Sequence, residues 1–352
     1  MNPLQLIRKK LGHLTMEWSP SFWLDTGLPD LNEVLGHRDL GIPYGRVTEI
    51  SGLESAGKTA LIMSIAAMAQ RQGALIVWLD FEVSFSPAWA IQRGIAPCPK
   101  CTGSGLIGKT GCKACGGGGK SFLCKGSGKI GSEICKDCGG LGEKKGLGID
   151  TDRFILIQPY IGQFYEDPKN PKKLGSPRIS NAQELCNEAT QIMSELHEKF
   201  DRKVIVIDSI ASMLTEGEEV AGLENAGFRE NQALPSFMSK LLKRWVGEMQ
   251  GFNAMLFLIN QLRQNPMQRF GDPWYTPGGN APRFYSHIRV RVRRAGKGKL
   301  IDGGKQVGIK GIMGNRKNKV GGVEYSEIGY KIFFKGAIKF LPAAKLKKEG
   351  DE

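Results

Sequence analysis

Residues 52 to 59 read Gly-Leu-Glu-Ser-Ala-Gly-Lys-Thr, two glycines bracketing four residues, followed at once by a lysine and a hydroxyl. That spacing suits a backbone cradle for phosphate. Gly52 and Gly57 permit angles that a side chain forbids, so N–H groups along Glu54, Ser55, Ala56, Gly57, Lys58, Thr59 and Ala60 can turn toward phosphate oxygens. A helix starting there adds about half a positive charge. Lys58 would reach the β- and γ-phosphates, and the Thr59 hydroxyl would hold Mg²⁺. The chemistry expected of this stretch is that of a nucleoside triphosphatase using Mg²⁺.

Such chemistry needs two more carboxylates. Val204-Ile-Val-Ile-Asp208 is an apolar run ending in an acid, where Asp208 would complete the Mg²⁺ shell through water. Glu82, just after the apolar run ending at Asp80, is the candidate to orient or activate water. The alternative reading of Glu82 is a solvated loop acid.

Seven of eight cysteines lie between Cys98 and Cys138, and in a chain with no secretory leader that clustering argues for metal over disulfides. Cys98-Pro-Lys-Cys101, Cys112-Lys-Ala-Cys115 and Cys135-Lys-Asp-Cys138 are C-x-x-C units, each followed by glycines. Cys124 belongs to a fourth unit whose first cysteine is replaced. Four such units resemble the zinc-binding repeats of DnaJ-type chaperones. The resemblance implies that Cys98, Cys101, Cys135 and Cys138 share one Zn²⁺ in a closed tetrahedral centre. Cys112, Cys115 and Cys124 are then a three-ligand set that either recruits a foreign fourth ligand or is vestigial. The block is lysine-rich and reads as a docking module for DNA or protein, or as structural decoration.

The elements that must position these groups alternate strand and helix. Gly45 to Ser51 and Ala74 to Asp80 read as strands flanking a helix rich in Ala, Leu and Ile. Val204–Asp208 and Ala254–Asn260 are continuous apolar runs, the mark of a sheet buried on both faces. Ser180 with Gln183 has capping-box spacing ahead of an amphipathic helix on which Cys186 is a core residue. The expected fold is α/β, a P-loop ATPase core with a central, mostly parallel sheet. Its expected boundaries are a leader at 1–24, carrying a short amphipathic helix, the core at 25–96 and 147–341, the Cys-rich insertion at 97–146 and a charged tail at 342–352. A Pro/Lys-rich stretch from Glu166 to Arg178 reads as a loop. The 352 residues carry a net charge of +14, which favours an anionic partner such as nucleic acid. No apolar run approaches eighteen residues, so no membrane span and a cytoplasmic location are expected.

Between Leu262 and Gly279, prolines, glycines, arginines and aromatics make a long loop of the kind that is usually functional. Arg263 and Arg269 can pair with phosphates, Phe270, Trp274 and Tyr275 can pack on bases, and Gly278 and Gly279 allow close approach of backbone to DNA. Arg289-Val-Arg-Val-Arg-Arg294 alternates charge with apolar residues and reads as a strand with one basic face, turned to DNA, to a neighbouring subunit or to solvent.

Together these motifs, in this order, resemble the RecA-type recombinases. Leu79-Asp-Phe-Glu-Val-Ser continues without a gap through Pro87-Ala-Trp89, Ile259-Asn-Gln-Leu-Arg263 and Thr276-Pro-Gly-Gly-Asn280 follow, and Lys317-Asn-Lys319 completes the series. The resemblance implies that Glu82 is the catalytic glutamate, that Trp89 stacks on adenine and that Gln261 senses the γ-phosphate. It places Phe284, Arg289, Lys317 and Lys319 at a subunit interface, where the lysines reach the neighbour's ATP. It implies a first DNA loop at Glu216–Asn231, with Arg229 its cation. The implied activity is that of a DNA-dependent ATPase that forms helical filaments on single-stranded DNA and pairs it with homologous duplex, aided by single-strand-binding or loader proteins. A ring-forming translocase of the RadA or replicative-helicase type shares the core; the Lys317-Asn-Lys319 sequence argues for the recombinase. An ATP-switched, non-catalytic scaffold is a third reading, against which Glu82 and Gln261 argue. The resemblance departs after Tyr330-Lys-Ile-Phe-Phe, where the family continues into a further domain. One duplex-capture site is therefore expected to be missing, with the zinc module as substitute, a compactness that suits a bacteriophage source.

Overall fold

The computed structural model describes residues 20–86, 90, 106–107, 110–111, 129–130, 133–134, 153–160, 166–167, 170–174, 180–221, 232–265, 272–334 and 338–348. Their centre is a nine-stranded sheet. In chain order its strands are β1 (Val47–Gly52), β2 (Leu75–Asp80), β3 (Phe154–Ile157), β4 (Lys203–Asp208), β5 (Ala254–Gln261), β6 (Ile288–Asp302), β7 (Lys305–Asn318), β8 (Glu327–Phe333) and β9 (Ile338–Pro342). They lie in the order β9-β8-β7-β6-β1-β5-β4-β2-β3. Every neighbouring pair from β6 through β1, β5, β4 and β2 to β3 is parallel; β7, β8 and β9 extend the sheet antiparallel.

The apolar runs behave as a sheet covered on both faces requires, with successive residues entering different cores. Val204 and Val206 join Ile50, Ile76, Trp78 and Phe257 under helices α1 (Pro29–Leu35) and α2 (Lys58–Arg71). Ile205 and Ile207 join Leu75, Val77, Leu256 and Leu258 under α3 (Ala182–Glu195) and α5 (Ala233–Gly251). Two short helices complete this side, α4 (Glu216–Ala221) and α6 (Ala281–Tyr285). Trp78 is fully buried; truncating such a side chain to alanine costs about 3–5 kcal/mol. Cys186 lies in the second core, as expected, and burial raises its thiol pKa well above the ordinary value.

Several local expectations shift. The capping box of α3 is Asn181 with Glu184, one residue later than Ser180 with Gln183: the Asn181 side chain accepts the Glu184 N–H and the Glu184 carboxylate accepts the Asn181 N–H. A carboxylate is the stronger acceptor, and Ser180 Oγ instead accepts the Tyr160 N–H at 2.9 Å. Within the expected loop at 166–178, Glu166–Asp167 pairs antiparallel with Asn170–Leu174. The leader's last residues belong to the core, since Trp23–Leu24 pairs with Ile42–Pro43 and Leu24 is fully buried. The expected tail begins with helix α7 (Ala343–Lys348), whose Leu346 is buried against Ala295 and Ile312, so apolar packing overrides its charge. The amphipathic leader helix lies outside the described residues. Among the described residues, no helix is long and apolar enough to cross a membrane.

Candidate active site

The site is built where β1, β5, β4 and β2 end. The phosphate-binding loop leaves β1 at Gly52 and enters α2 at Lys58. Gly57 caps that helix at φ 91°, in the left-handed region that glycine favours. Gly52 admits no side chain, because a Cβ there would sit 2.5 Å from the Val292 carbonyl oxygen on β6. Lys58 folds back over the loop, its Nζ donating to the Gly52 and Leu53 carbonyls at 3.0 Å each. Burial lowers its pKa, opposed by the nearby carboxylates of Glu82, Asp208 and Glu54.

Asp208 ends β4 directly beside Asp80 at the end of β2. Its Oδ2 accepts the Thr59 hydroxyl at 3.0 Å, while its buried Oδ1 has no hydrogen-bond partner among the described residues. An orphaned carboxylate oxygen beside a hydroxyl at a helix N-terminus fits Mg²⁺, which Thr59 and Asp208 would hold. Burial, followed by the charge of Glu82, pushes the Asp208 carboxyl up to about 7. Among the described residues no cluster of three or more His, Cys, Asp or Glu side chains forms a metal site by itself.

Glu82 stands exposed in the turn after β2. Its Oε1 accepts the Ser209 hydroxyl at 2.5 Å, with Ser212 Oγ and Gln261 Nε2 each at 3.5 Å. Asp80 braces this turn: its Oδ2 accepts the Phe85 N–H and Gln158 Nε2, both at 2.8 Å. Sequence reasoning assigned Ser209, Ser212 and Asp80 no part here; position next to Asp208 or Glu82 was the only signal. The arrangement can hold phosphate at the loop, a divalent cation at Thr59 and Asp208, and a water at Glu82 in reach of Gln261.

Asn260, next to Gln261 on β5, connects this site to the loop at 262–279. Its Nδ2 donates to the Pro277 carbonyl at 3.0 Å and to Glu49 Oε1 at 3.2 Å. The base of that loop is a short ladder in which Arg263–Gln264 pairs with Trp274–Tyr275. Arg263 and Tyr275 are exposed, and Gly279 is exposed at φ 70°. Gly278, the other glycine expected to let the backbone approach DNA, is buried at φ 92°, and a Cβ there would press on Ile210, Pro282 and Met238 at 3.1 to 3.3 Å, so backbone angle and core packing both call for glycine. The strand with one basic face is also partly neutralised within the chain: Arg291 pairs with Asp272 and Arg293 with Glu327.

The four residues assigned to a subunit interface come together elsewhere. Arg289 faces Lys317 across the β6–β7 ladder and is held by the buried Glu49 carboxylate. Lys317 Nζ donates to the Arg283 and Phe284 carbonyls at the end of α6, and Phe284 is 71% exposed. The Lys319 N–H bonds the His287 carbonyl, and the His287 N–H bonds Val47 at the start of β1. This cluster thus flanks the opening end of β1 while the phosphate loop leaves its closing end, about 17 Å away at the usual strand rise. Trp89, Arg229, Arg269, Phe270 and the cysteines Cys98, Cys101, Cys112, Cys115, Cys124, Cys135 and Cys138 lie outside the described residues.

A family model, described as the RecA N-terminal domain, matches residues 22–97 and 167–339. The chain is 27% identical over 280 residues to Protein RecA of Aquifex pyrophilus, covering 80% of this chain and 57% of that protein. It is 28% identical over 299 residues to Protein RecA of Rhodopirellula baltica (84% and 56%), and 27% identical over 280 residues to that of Acholeplasma laidlawii (80% and 60%). The chain therefore spans somewhat over half the length of these curated relatives. Since the family model matches more than half of it, on both sides of the cysteine block, the chain belongs to the RecA family.

Proposed function

We propose that this protein is a DNA-dependent ATPase that polymerises on single-stranded DNA and catalyses homologous pairing and strand exchange. The observation that carries the reading is that Lys58, Thr59, Asp208, Glu82 and Gln261 converge at the ends of four adjacent strands, with Asn260 holding the end of the 262–279 loop. A bound ATP would lay its phosphates on the loop, with Lys58 leaving the carbonyls to meet them. Mg²⁺ held by Thr59 and, through water, by Asp208 would neutralise developing charge. Glu82 would accept the proton of the attacking water, and Gln261 would report the γ-phosphate to the DNA loop through its neighbour Asn260. In that loop Arg263 and Arg269 would take phosphates and Phe270 and Tyr275 would meet bases, with Arg229 contributing from the first loop.

The interface roles rest on the separation of the Lys317/Lys319 cluster from its own phosphate loop. Lysines at the opposite end of β1 meet a nucleotide most directly when a second copy stacks head to tail, the arrangement that generates a helical filament when it does not close. Hydrolysis would then depend on assembly, because the transition-state charge is completed in trans. The relatives found are RecA proteins, which favours the recombinase over the ring-forming translocase.

For the insertion we infer one structural Zn²⁺ on Cys98, Cys101, Cys135 and Cys138. Support comes from the pairing of the thiols and from two short hairpins between successive Cys units, Leu106–Ile107 with Thr110–Gly111 and Lys129–Ile130 with Glu133–Ile134. Metal analysis of the dialysed protein should give one zinc per chain. Two would assign Cys112, Cys115 and Cys124 a second ion, and none would refute the centre.

The test of function is ATP-dependent strand exchange between circular single-stranded DNA and homologous linear duplex, with Lys58→Ala as control. Joint molecules with the native protein alone are expected. DNA-stimulated hydrolysis without joint molecules would overturn the recombinase reading.

A further inference from the structure

A loop that turns its N–H groups inward toward phosphate turns its carbonyls outward, and each outward carbonyl needs a donor from elsewhere. Here the donors come from inside the motif and from distant segments. Lys58 covers Gly52 and Leu53, and the Leu262 N–H also reaches the Gly52 carbonyl and the Ala56 N–H that of Leu53. The Ser55 and Ala56 carbonyls are held from the far end of the sequence. Arg294 of β6 donates to the Ser55 carbonyl through Nε at 3.3 Å and Nη2 at 3.0 Å, and the Tyr330 hydroxyl of β8 donates to the Ala56 carbonyl at 2.6 Å. The held segment is a strained one, with Ser55 at φ 55°, a left-handed conformation that non-glycine residues seldom adopt.

The ribbon is shaped for this contact. Tyr330 is fully buried, and its ring passes over Gly311, where a Cβ would lie 2.1 Å from the hydroxyl oxygen. Beside it Ile332 and Ile309 fill the space under Gly57, leaving a Cβ only 2.4 Å from Ile332 Cδ1. A buried hydroxyl needs a partner, and here the short bond goes to the crest of the loop at Ala56, with the Arg293 carbonyl a longer second acceptor at 3.4 Å.

We propose that Tyr330 and Arg294 are positioning residues for the nucleotide phosphates, acting through the Ala56 and Ser55 carbonyls. The proposal rests on the reading of this loop as an ATP site. When Lys58 turns from the Gly52 and Leu53 carbonyls to phosphate, the hold of β6 and β8 remains and keeps the crest N–H groups aimed inward. Neither side chain touches the reacting atoms, so phosphate affinity depends on them more than the chemical step does. Tyr330, buried and with one short bond, carries more of this than the exposed Arg294.

The test uses the full chain. Affinity for Mg·ADP is measured by calorimetry, and KM and kcat for ATP at saturating oligo(dT), for wild type, Tyr330→Phe, Arg294→Ala and Arg294→Lys. Leaving one buried carbonyl without its donor predicts roughly a tenfold loss of Mg·ADP affinity and a matching rise in KM for Tyr330→Phe, with kcat moving much less. Arg294→Ala should lose a few-fold and Arg294→Lys, which keeps a donor, should recover most of it. A merely structural role would lower the active fraction, and so the apparent kcat, with KM unchanged; that result, or wild-type Mg·ADP affinity in the folded Tyr330→Phe and Arg294→Ala variants, would overturn the proposal. Should Tyr330→Phe fail to fold, the Ala and Lys variants at the exposed Arg294 decide it. A wild-type chain that binds no Mg·ADP would instead refute the nucleotide reading itself.

Discussion

His287 sits among cations and should make the fold acid-sensitive. Its Nδ1 accepts the Val47 N–H at 3.2 Å, so protonating that nitrogen breaks the bond that seats the start of β1. Burial, reinforced by Arg46, Lys317 and Lys319, lowers its pKa from 6.5 to about 4. The folded chain therefore keeps His287 neutral down to about pH 4, while the unfolded chain takes up a proton near 6.5. The resulting stability is fully present above pH 6.5 and is lost as the pH falls toward 4. Between pH 7 and pH 5 the linkage amounts to about 2 kcal/mol, with a slope near 1.2 kcal/mol per pH unit around pH 5. His287→Asn places an uncharged acceptor near the position of Nδ1 and removes the titration. Urea unfolding of both proteins at pH 7, 6 and 5, at constant ionic strength and without nucleotide, isolates the effect, since the carboxylates common to both cancel in the difference. The wild type should lose about 2 kcal/mol more than His287→Asn across that range, with equal m values. Stability curves that stay parallel to within about 0.5 kcal/mol would show that His287 is neutral for no energetic reason, and the burial argument would fall.

Asp208→Asn should abolish Mg²⁺-dependent nucleotide binding in calorimetry yet raise the melting temperature without nucleotide. With its carboxyl pushed up to about 7, ionised Asp208 costs stability as pH rises from 3.8 through 7, up to about 4 kcal/mol at pH 8 and less than half of that at pH 5. Gly57→Ala should destabilise by about 2–4 kcal/mol, from its left-handed φ and the clash with Ile332, whereas Gly27→Ala, at φ 72° in open space, should cost about 1 kcal/mol in the same chemical denaturation. Ser209→Ala removes the one short hydrogen bond to Glu82 and should lower kcat for ATP about tenfold with little change in Mg·ADP affinity; unchanged turnover would show that Glu82 needs no such anchor.

What could be read from residue order alone was whatever depends on neighbours a few positions apart. The Gly52–Thr59 motif, the apolar runs of β4 and β5 and the amphipathic face of α3 announce themselves because backbone geometry and side-chain period are local properties. Asp208, at the end of an apolar run, and Glu82, just after another, stand out by position for the same reason, whereas the part Asp80 plays in bracing the Glu82 turn does not. Lys317 and Lys319 take on a role only through the order of motifs, since nothing in their own spacing points to a partner. The folded chain decided the rest by bringing together residues that no local rule relates. Gly278 packs against Met238 and Ile210, contacts that its own loop sequence does not announce. Arg291 and Arg293 lost much of their free charge to Asp272 and Glu327 on other segments. The Tyr330 hydroxyl and the Ala56 carbonyl it holds are 274 residues apart. A buried hydrogen bond across that separation follows from how β8 lies beside β7, and β7 beside β6, next to the loop, and strand order is set by the packing of the whole sheet rather than by the composition of any strand in it.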